Sequence, residues 1–495
     1  MLRVMRLFRT FPTPKEPKDM FWAVGLIPFA LLIFLLFCVI RVFGSDALEG
    51  GSQVALLTSS GVVVAIAMLC YHVPWSRIEE AIVSNIKSIA MALLILLFIG
   101  AISGSWMVSG VVPTLIYYGL QILSPGLFLL VTCVICALVS LMTGSSWTTV
   151  ATIGVALVGI GTVLGYSAPM TAGAIISGAY FGDKLSPLSD TTVVASSIND
   201  TPLFTHIRYM MITTIPSFVI ACIIFLVISL SHESSALISA PDYADCLRST
   251  FNINPWILLV PLATAVLIIL RIPAILTLFI SSLMAIIVAL IAQPDIISGI
   301  GGGRDAIAQF KGAFISIYGT TTIDTGNESL NALVETHGMR GMLSTIFLIC
   351  CSATFGGALT GSGMARSFTE MLARRLNRRT SIVASTVVTG LGANMATGDQ
   401  YLSIILTSNL FKDLYKEKGF EGRLLSRSSE DSATVTSVLI PWNTCGMTQS
   451  MVLRVPTIDY LPYCFFNILS PLMSIVVAAT GYKIFRKAPK EEVAV

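Results

Sequence analysis

The sequence predicts an all-α polytopic membrane protein built of two inverted structural repeats, each with a re-entrant hairpin and a broken transmembrane helix. Three observations predict it. The 495 residues are 55% hydrophobic and only 12% charged, against about 25% charged in soluble domains. Apolar runs long enough for a bilayer crossing, about 20 residues, recur along the whole chain. Two apolar segments, one in each half, are interrupted by similar polar centres, MTGSSW at 142–147 and ATGDQY at 396–401.

The elements follow in chain order. Residues 1–19 are basic and end in a Pro-rich stretch, with no short apolar segment and cleavage site ahead of the first long run; they read as a cytoplasmic tail rather than a signal peptide. Apolar runs lie at 20–40, 50–76, 209–231, 249–270, 272–294, 341–365, 380–398, 432–453 and 460–482, and Ser88 to Gly182 holds several more without one Asp, Glu, Lys or Arg. A soluble core accounts for one or two such runs, not for this number. Lys and Arg are enriched on the cytoplasmic side. The basic tails, Arg77 and Lys87, RRLNRR at 374–379 and the stretch 412–427 are therefore placed inside. The acidic end of the first span, the uncharged connection 110–125 and the linker 232–254 are placed outside.

Between the two basic stretches lie 380–411, too short for two full spans, so a hairpin re-entering from the cytoplasm is expected, with its tip near Thr397, Gly398 and Asp399. The segment 124–165 has the same form around MTGSSW, with Thr143 and Ser145 at its tip, and is bounded by uncharged loops. Each hairpin is followed by a polar-interrupted segment and then a clean span. Two halves, 20–231 and 255–482, are thus expected to be related by inverted topology, a design of secondary transporters. The register of the broken helices stays open: FGDKLS pairs with WNTCG, or LSPLSDTT with SRSSEDSAT.

The chemistry sits in GAYFGDKLSPLSDTTVVASS, 178–197. Intramembrane carboxylates are costly and mark pathways. Pro187 interrupts the helix ladder, and the freed carbonyls join Ser186, Ser189, Thr191 and Thr192 as hard oxygen ligands beside Asp183 and Asp190. A carboxylate there binds a proton or a small cation, not both well, and that competition is enough for antiport. Asp183 paired with its neighbour Lys184, and Asp190 as a helix N-cap, are the plain structural alternatives. In the second half the candidates are Asp399, Glu430, Asp431, Asn443 and Thr444, with a helix N-terminus as the alternative for Glu430 and Asp431. Asp324 and Glu328 in 317–341 suit a pathway segment or a surface loop equally, and GGALTGSGMA at 356–365 suits close helix packing. The ten Cys lie mostly in apolar runs and the four His are scattered, so no metal centre is suggested. No nucleic-acid patch and no phosphate-cradling Gly-x-x-x-x-Gly-Lys loop occurs, and no constellation of an intramembrane enzyme.

At GAYFGDKLSPLSDTT, TGN (325–327), ATGDQY and SRSSEDSATVTSVLIPWNTCG the sequence resembles the NhaC family of sodium/proton antiporters, in order and over nearly the whole chain. The resemblance implies the ion-transporter superfamily fold, a multi-pass inner-membrane location with cytoplasmic termini, sodium- and proton-linked exchange, and often a homodimer. It implies Asp183, Ser186, Ser189, Asp190, Thr191, Asp399, Asp431, Asn443 and Thr444 as ion or substrate ligands, with sodium held through Asp183, Asp190, Asp399 and Asp431. No cofactor beyond the transported ions is expected. Some family members resemble exchangers of organic acids such as malate and lactate. The alternative function is therefore a sodium- or proton-coupled carrier of a small carboxylate or amino acid. For Asp190 the expectation is that Asp190→Asn abolishes cation-dependent proton exchange while expression stays intact.

Overall fold

The computed structural model describes residues 22–43, 50–122, 124–231, 240–270, 272–326, 331, 334–365, 367 and 378–484. The tail 1–19, most of RRLNRR, part of the linker 232–254, Asn327, Glu328 and the chain from 485 lie outside the described residues. Among the described residues, eight helices are long and apolar enough to cross a membrane, or up to ten if each of two bent pairs counts as one span. A single antiparallel bridge, Thr321 to Thr336, is the one extended pairing among them.

The first half begins with α1 (Trp22–Phe43), α2 (Gly51–Tyr71) and α3 (Trp75–Val108). The charges of Arg77 to Lys87 lie in the exposed first turns of α3, so this helix runs well past the apolar stretch that begins near 88. The expected loop 110–125 is largely helix α4 (Val111–Ile122), an apolar segment too short to span. The hairpin follows: α5 (Phe128–Thr143) and α6 (Ser146–Val163), the latter with a π-turn at Val150–Gly154. Then come α7 (Ala168–Leu185), α8 (Asp190–Ile198) and the long α9 (Leu203–Ser231).

The second half opens with α10 (Ala240–Thr250), bent by 90° from the helical run that leads into α11 (Leu259–Ile269). Next are α12 (Ala274–Ala292), α13 (Pro294–Gly301), α14 (Ala306–Tyr318) and α15 (Leu343–Ser362). In the bridged segment after α14, Asp324 is exposed and its carboxyl is held below the usual range by the Gly326 N–H and the Asn331 amide, and a helical turn at Gly338–Gly341 leads into α15. The small-residue stretch 356–365 begins in α15, which packs on α3 and on α16 (Arg379–Thr397). α16 and α17 (Gln400–Glu417) form the second hairpin. Its second arm runs beyond 411 because Lys412 finds partners in the Ile198 carbonyl and Asp200. α18 (Gly422–Ser429), a π-turn (Glu430–Thr434), α19 (Thr444–Leu453), α20 (Thr457–Tyr460) and α21 (Phe465–Thr480) complete the chain.

The interior has one large apolar core and two smaller clusters, and it is rich in buried hydroxyls along α7, α16, α18 and α19. Many of these serve the preceding turn of their own helix, as Thr386, Ser428, Ser432 and Thr448 do. Such bonds satisfy a polar group where no water competes.

Candidate functional site

The two hairpin tips are built alike, residue for residue. α5 ends at Gly144 (φ 67) and α16 at Gly398 (φ 66), a left-handed turn that glycine adopts without a Cβ penalty. The Thr before each glycine clamps the turn. Thr143 Oγ1 donates to the Ser145 carbonyl at 3.2 Å, and Thr397 Oγ1 to the Asp399 carbonyl at 3.0 Å. The residue after each glycine caps the next helix: Ser145 Oγ accepts from Thr148 N–H at 3.2 Å and Asp399 Oδ1 from Leu402 N–H at 2.9 Å. Even the secondary contacts match, Thr143 with Thr149 and Thr397 with Ser403.

The two helix breaks match in the same register. Pro187 interrupts the chain between α7 and α8, and Pro441 interrupts it before α19. Thr143 and Thr397, Gly144 and Gly398, Pro187 and Pro441, and Ser189 and Asn443 all stand the same number of residues apart. The same offset sets SPLS at 186–189 against IPWN at 440–443, a different pairing from either register weighed from sequence. Each tip abuts its own break. A Cβ at Gly144 would overlap Leu188, and one at Gly398 would lie 2.5 Å from Ser352 Oγ, which itself donates to the Trp442 carbonyl. The Thr444 N–H donates to the Gly398 carbonyl at 2.8 Å, tying the second tip to the second break.

Tips and breaks converge on one cavity of about 740 Å³. Thr143, Ser145, Asp183, Ser189, Asp190, Thr191, Asp399 and Thr444 line it, together with Trp147, Gln400 and Tyr401. Its lining has three carboxylates and no Lys, Arg or His among the described residues. Asp183 is buried; Oδ2 accepts from Ser146 Oγ at 2.7 Å and from Ser146 N–H at 3.0 Å. The first tip therefore holds this carboxylate, and Lys184 does not. Asp399 is buried at the second tip, while Asp190 is exposed to the cavity. Asp190 is the first residue of α8, and Ser189 occupies the N-cap position. The first turns of α6, α8, α17 and α19 all reach the lining, so four helix N-termini face the same space. Their dipoles favour negative charge, which steadies ionised carboxylates and would equally suit an anionic group.

The remaining sequence candidates stand behind this wall. Thr397 supports the tip, and Ser186 Oγ accepts from Leu188 N–H within the break. Thr192 Oγ1 donates to the Lys184 carbonyl, and Asn443 caps α19 and contacts Asn394. Asp431 is not at the cavity and not at an exposed helix N-terminus. With Glu430 it lies in a fully buried π-turn, a distortion frequent at functional sites, and Oδ1 forms an ion pair with Lys184. Ser470 and Thr213 donate to the same oxygen at 3.3 and 3.1 Å, and Arg427 Nε lies 3.9 Å from Oδ2. The sequence signal missed Ser146, Arg427 and Asn394. Asn394 donates to the Ala433 carbonyl and to Thr436, bracing the π-turn from α16; nothing local in the sequence singles out such a residue.

Paired hairpins whose tips meet broken helices around a carboxylate-lined cavity define a multi-pass membrane transporter. The chain belongs to the Na+/H+ antiporter family, whose model matches residues 20–199 and 178–482. It is 38% identical to the Na+/H+ antiporter NhaC of Alkalihalophilus pseudofirmus over 85% of this chain and 88% of that protein. It is 35% identical to the malate-2H+/Na+-lactate antiporter of Bacillus subtilis (87% and 89%), and 34% identical to the arginine/ornithine antiporter ArcD of Halobacterium salinarum (98% and 97%).

Proposed function

We propose that this protein exchanges sodium for protons across the membrane, with Asp183, Asp190 and Asp399 as the carboxylates that face the cation. The observation that carries this is the cavity itself: three carboxylates and the hydroxyls of Thr143, Ser145, Ser189, Thr191 and Thr444 in one lining that has no basic side chain among the described residues. Hard oxygen donors at opposed hairpin tips are what a small monovalent cation needs in place of its hydration shell. We read the halves 20–231 and 255–482 as inverted repeats; the matched tips and breaks support this. Cytoplasmic termini and a homodimer belong to the same reading, the former on the placement of basic residues.

The test uses purified protein in liposomes with an internal pH dye and no organic solute. Sodium, then lithium, then potassium is added outside. Alkalinisation with sodium alone supports simple exchange. A second reading, a sodium- or proton-coupled exchanger of a small carboxylate or amino acid, is favoured by the cavity size. Its volume of about 740 Å³ falls in the range of small-molecule sites, and the relatives named for malate and lactate or for arginine and ornithine are exchangers of such solutes. Silence with sodium that gives way when a solute of that kind is supplied supports it.

A further inference from the structure

The two long helices beside the hairpins, α3 and α15, meet them differently. Beyond the tips and breaks, the cavity lining continues over Ile89, Met91 and Ile95 of α3 and over 272–277 at the start of α12. Ile89 follows Lys87 by two residues, so the cavity extends toward the basic end of α3, and Met91 there is 61% exposed. The cavity thus lies between α3 and the first tip. α15 stands directly on the second tip and break. Ser352 Oγ donates to the Trp442 carbonyl, and a Cβ at Gly356 would overlap the Thr397 carbonyl. Trp442 is held in turn by the bond from its Nε1 to the Met395 carbonyl at 2.9 Å. The spacing that relates the two tips also relates Met91 to Thr345 and Ile95 to Ile349. Residues 345, 349, 352 and 356 recur at helical intervals and share one face of α15, the face turned to the second tip and break. Thr345 is only 1% exposed, and its hydroxyl has no hydrogen-bond partner among the described residues. A buried hydroxyl left unpaired is costly, and Thr345 recovers its bonds once water reaches this face.

We propose that the Thr345–Ile349 face of α15 is the second mouth of the cavity, and that the bond from Ser352 to the Trp442 carbonyl holds it shut. This deepens the exchange reading and rests on it for the requirement that the cavity open on both sides of the membrane. In this conformation the cavity keeps α3 off the first tip, while α15 sits on the second. In the other conformation the Ser352 bond is broken, water and the transported solute reach Thr345, and α3 closes on the first tip. Rocking of one part against another around a site between matched halves produces such a change. The hydroxyl of Ser352 is the contact that has to be released, and Thr345 is the side chain that becomes wet.

The test is the rate at which a membrane-impermeant maleimide modifies Met91→Cys and Thr345→Cys in sealed vesicles of either orientation, read at the introduced position by peptide mass spectrometry with the native cysteines in place. Met91→Cys is expected to react from one side of the membrane. Thr345→Cys is expected to react from the opposite side and about tenfold more slowly or less, as a minor conformation populated at about 10% or below dictates. Adding Ser352→Ala speeds Thr345→Cys by about fivefold, the worth of one hydrogen bond, and slows Met91→Cys. A Thr345→Cys that reacts from the same side as Met91→Cys, or from neither side, overturns the proposal, and this comparison holds even if Ser352→Ala fails to fold. A folded Ser352→Ala protein in which Thr345→Cys keeps its rate also overturns it, as does one in which both positions quicken together, since the bond is then no latch but a general tie. The labelling needs no solute. Sodium-driven proton movement in wild type is a separate result: its absence refutes the sodium/proton reading, and the two labelling rates still decide the second mouth.

Discussion

Replacing Asp183 by Asn keeps the shape of the side chain and removes its charge. In the structure the two cavity carboxylates flanking the first break differ sharply in setting. Asp183 is only 8% exposed and is held by two bonds from Ser146, whereas Asp190 is exposed. Two unit charges about 4 Å apart interact by about 4 kcal/mol at an effective dielectric of about 20, but by only about 1 kcal/mol in bulk water. Each 1.4 kcal/mol is about tenfold in affinity. Asp183 belongs near the first limit and Asp190 near the second. Water in the cavity and the carbonyl oxygen kept by Asn reduce the first figure, so Asp183→Asn is expected to raise the half-maximal sodium concentration about 100-fold. Asp190→Asn is expected to raise it about fivefold. The assay is the initial rate of internal alkalinisation against external sodium, at fixed pH, with each variant reconstituted at matched protein. A shift for Asp183→Asn smaller than about threefold, or a larger effect from Asp190→Asn, refutes the ranking by burial. Sequence alone offers Asp183 and Asp190 together in one motif, so the experiment separates position in a motif from position in the fold.

Two other perturbations test the frame around the cavity. Lys184→Met leaves Asp431 buried without its ammonium partner and is expected to cost about 3–5 kcal/mol of stability, most of it regained in Lys184→Met/Asp431→Leu; thermal unfolding in detergent reads both, and equal melting of the single variant and wild type rules out the pair as a structural tie. Gly398→Ala forces a side chain into the left-handed turn and against Ser352 Oγ. The turn alone costs about 1 kcal/mol, so a lower melting temperature and slower exchange are expected, and an unchanged protein would mean that the second tip is not held as described.

The broad fold was legible because a bilayer imposes length and polarity rules that act on every residue of a span. The hairpins were legible because Thr-Gly with a polar cap is a local turn signal, and at both tips the same atoms make the turn. What was not legible depends on contacts distant in sequence. Lys184 reads as the partner of adjacent Asp183, yet it pairs with Asp431 in the other half of the chain. Asp431 reads as a cavity ligand beside Glu430 at a helix start, yet the π-turn takes both into the interior. The pairing of the two breaks by their prolines differs from both registers weighed from sequence for a related reason. Asp and Lys attract attention in FGDKLS, but the residue that fixes the break is the proline, and prolines align Pro187 with Pro441. The helix at Val111–Ile122 was hidden because an uncharged stretch between spans looks like a loop when only charge is used to find loops.

The neighbouring pair Asp183 and Lys184 explains how one helix end can serve two environments. Successive residues of an α-helix point about 100° apart. At the end of α7 this turns Asp183 toward the first hairpin tip and the cavity, and Lys184 toward Asp431 and Ser470. The last turn of α7 is therefore the partition between the carboxylate-lined cavity and the interior charges. The break at Ser186–Ser189 begins one residue later, so the partition sits on a segment with no helix continuing beyond it. Any rotation of that turn that brings Asp183 nearer a cation also carries Lys184 relative to Asp431 and Glu430. A charge change at Asp183 and the charge balance around Asp431 therefore meet on one helix end, and a substitution at either residue is read in the setting of the other.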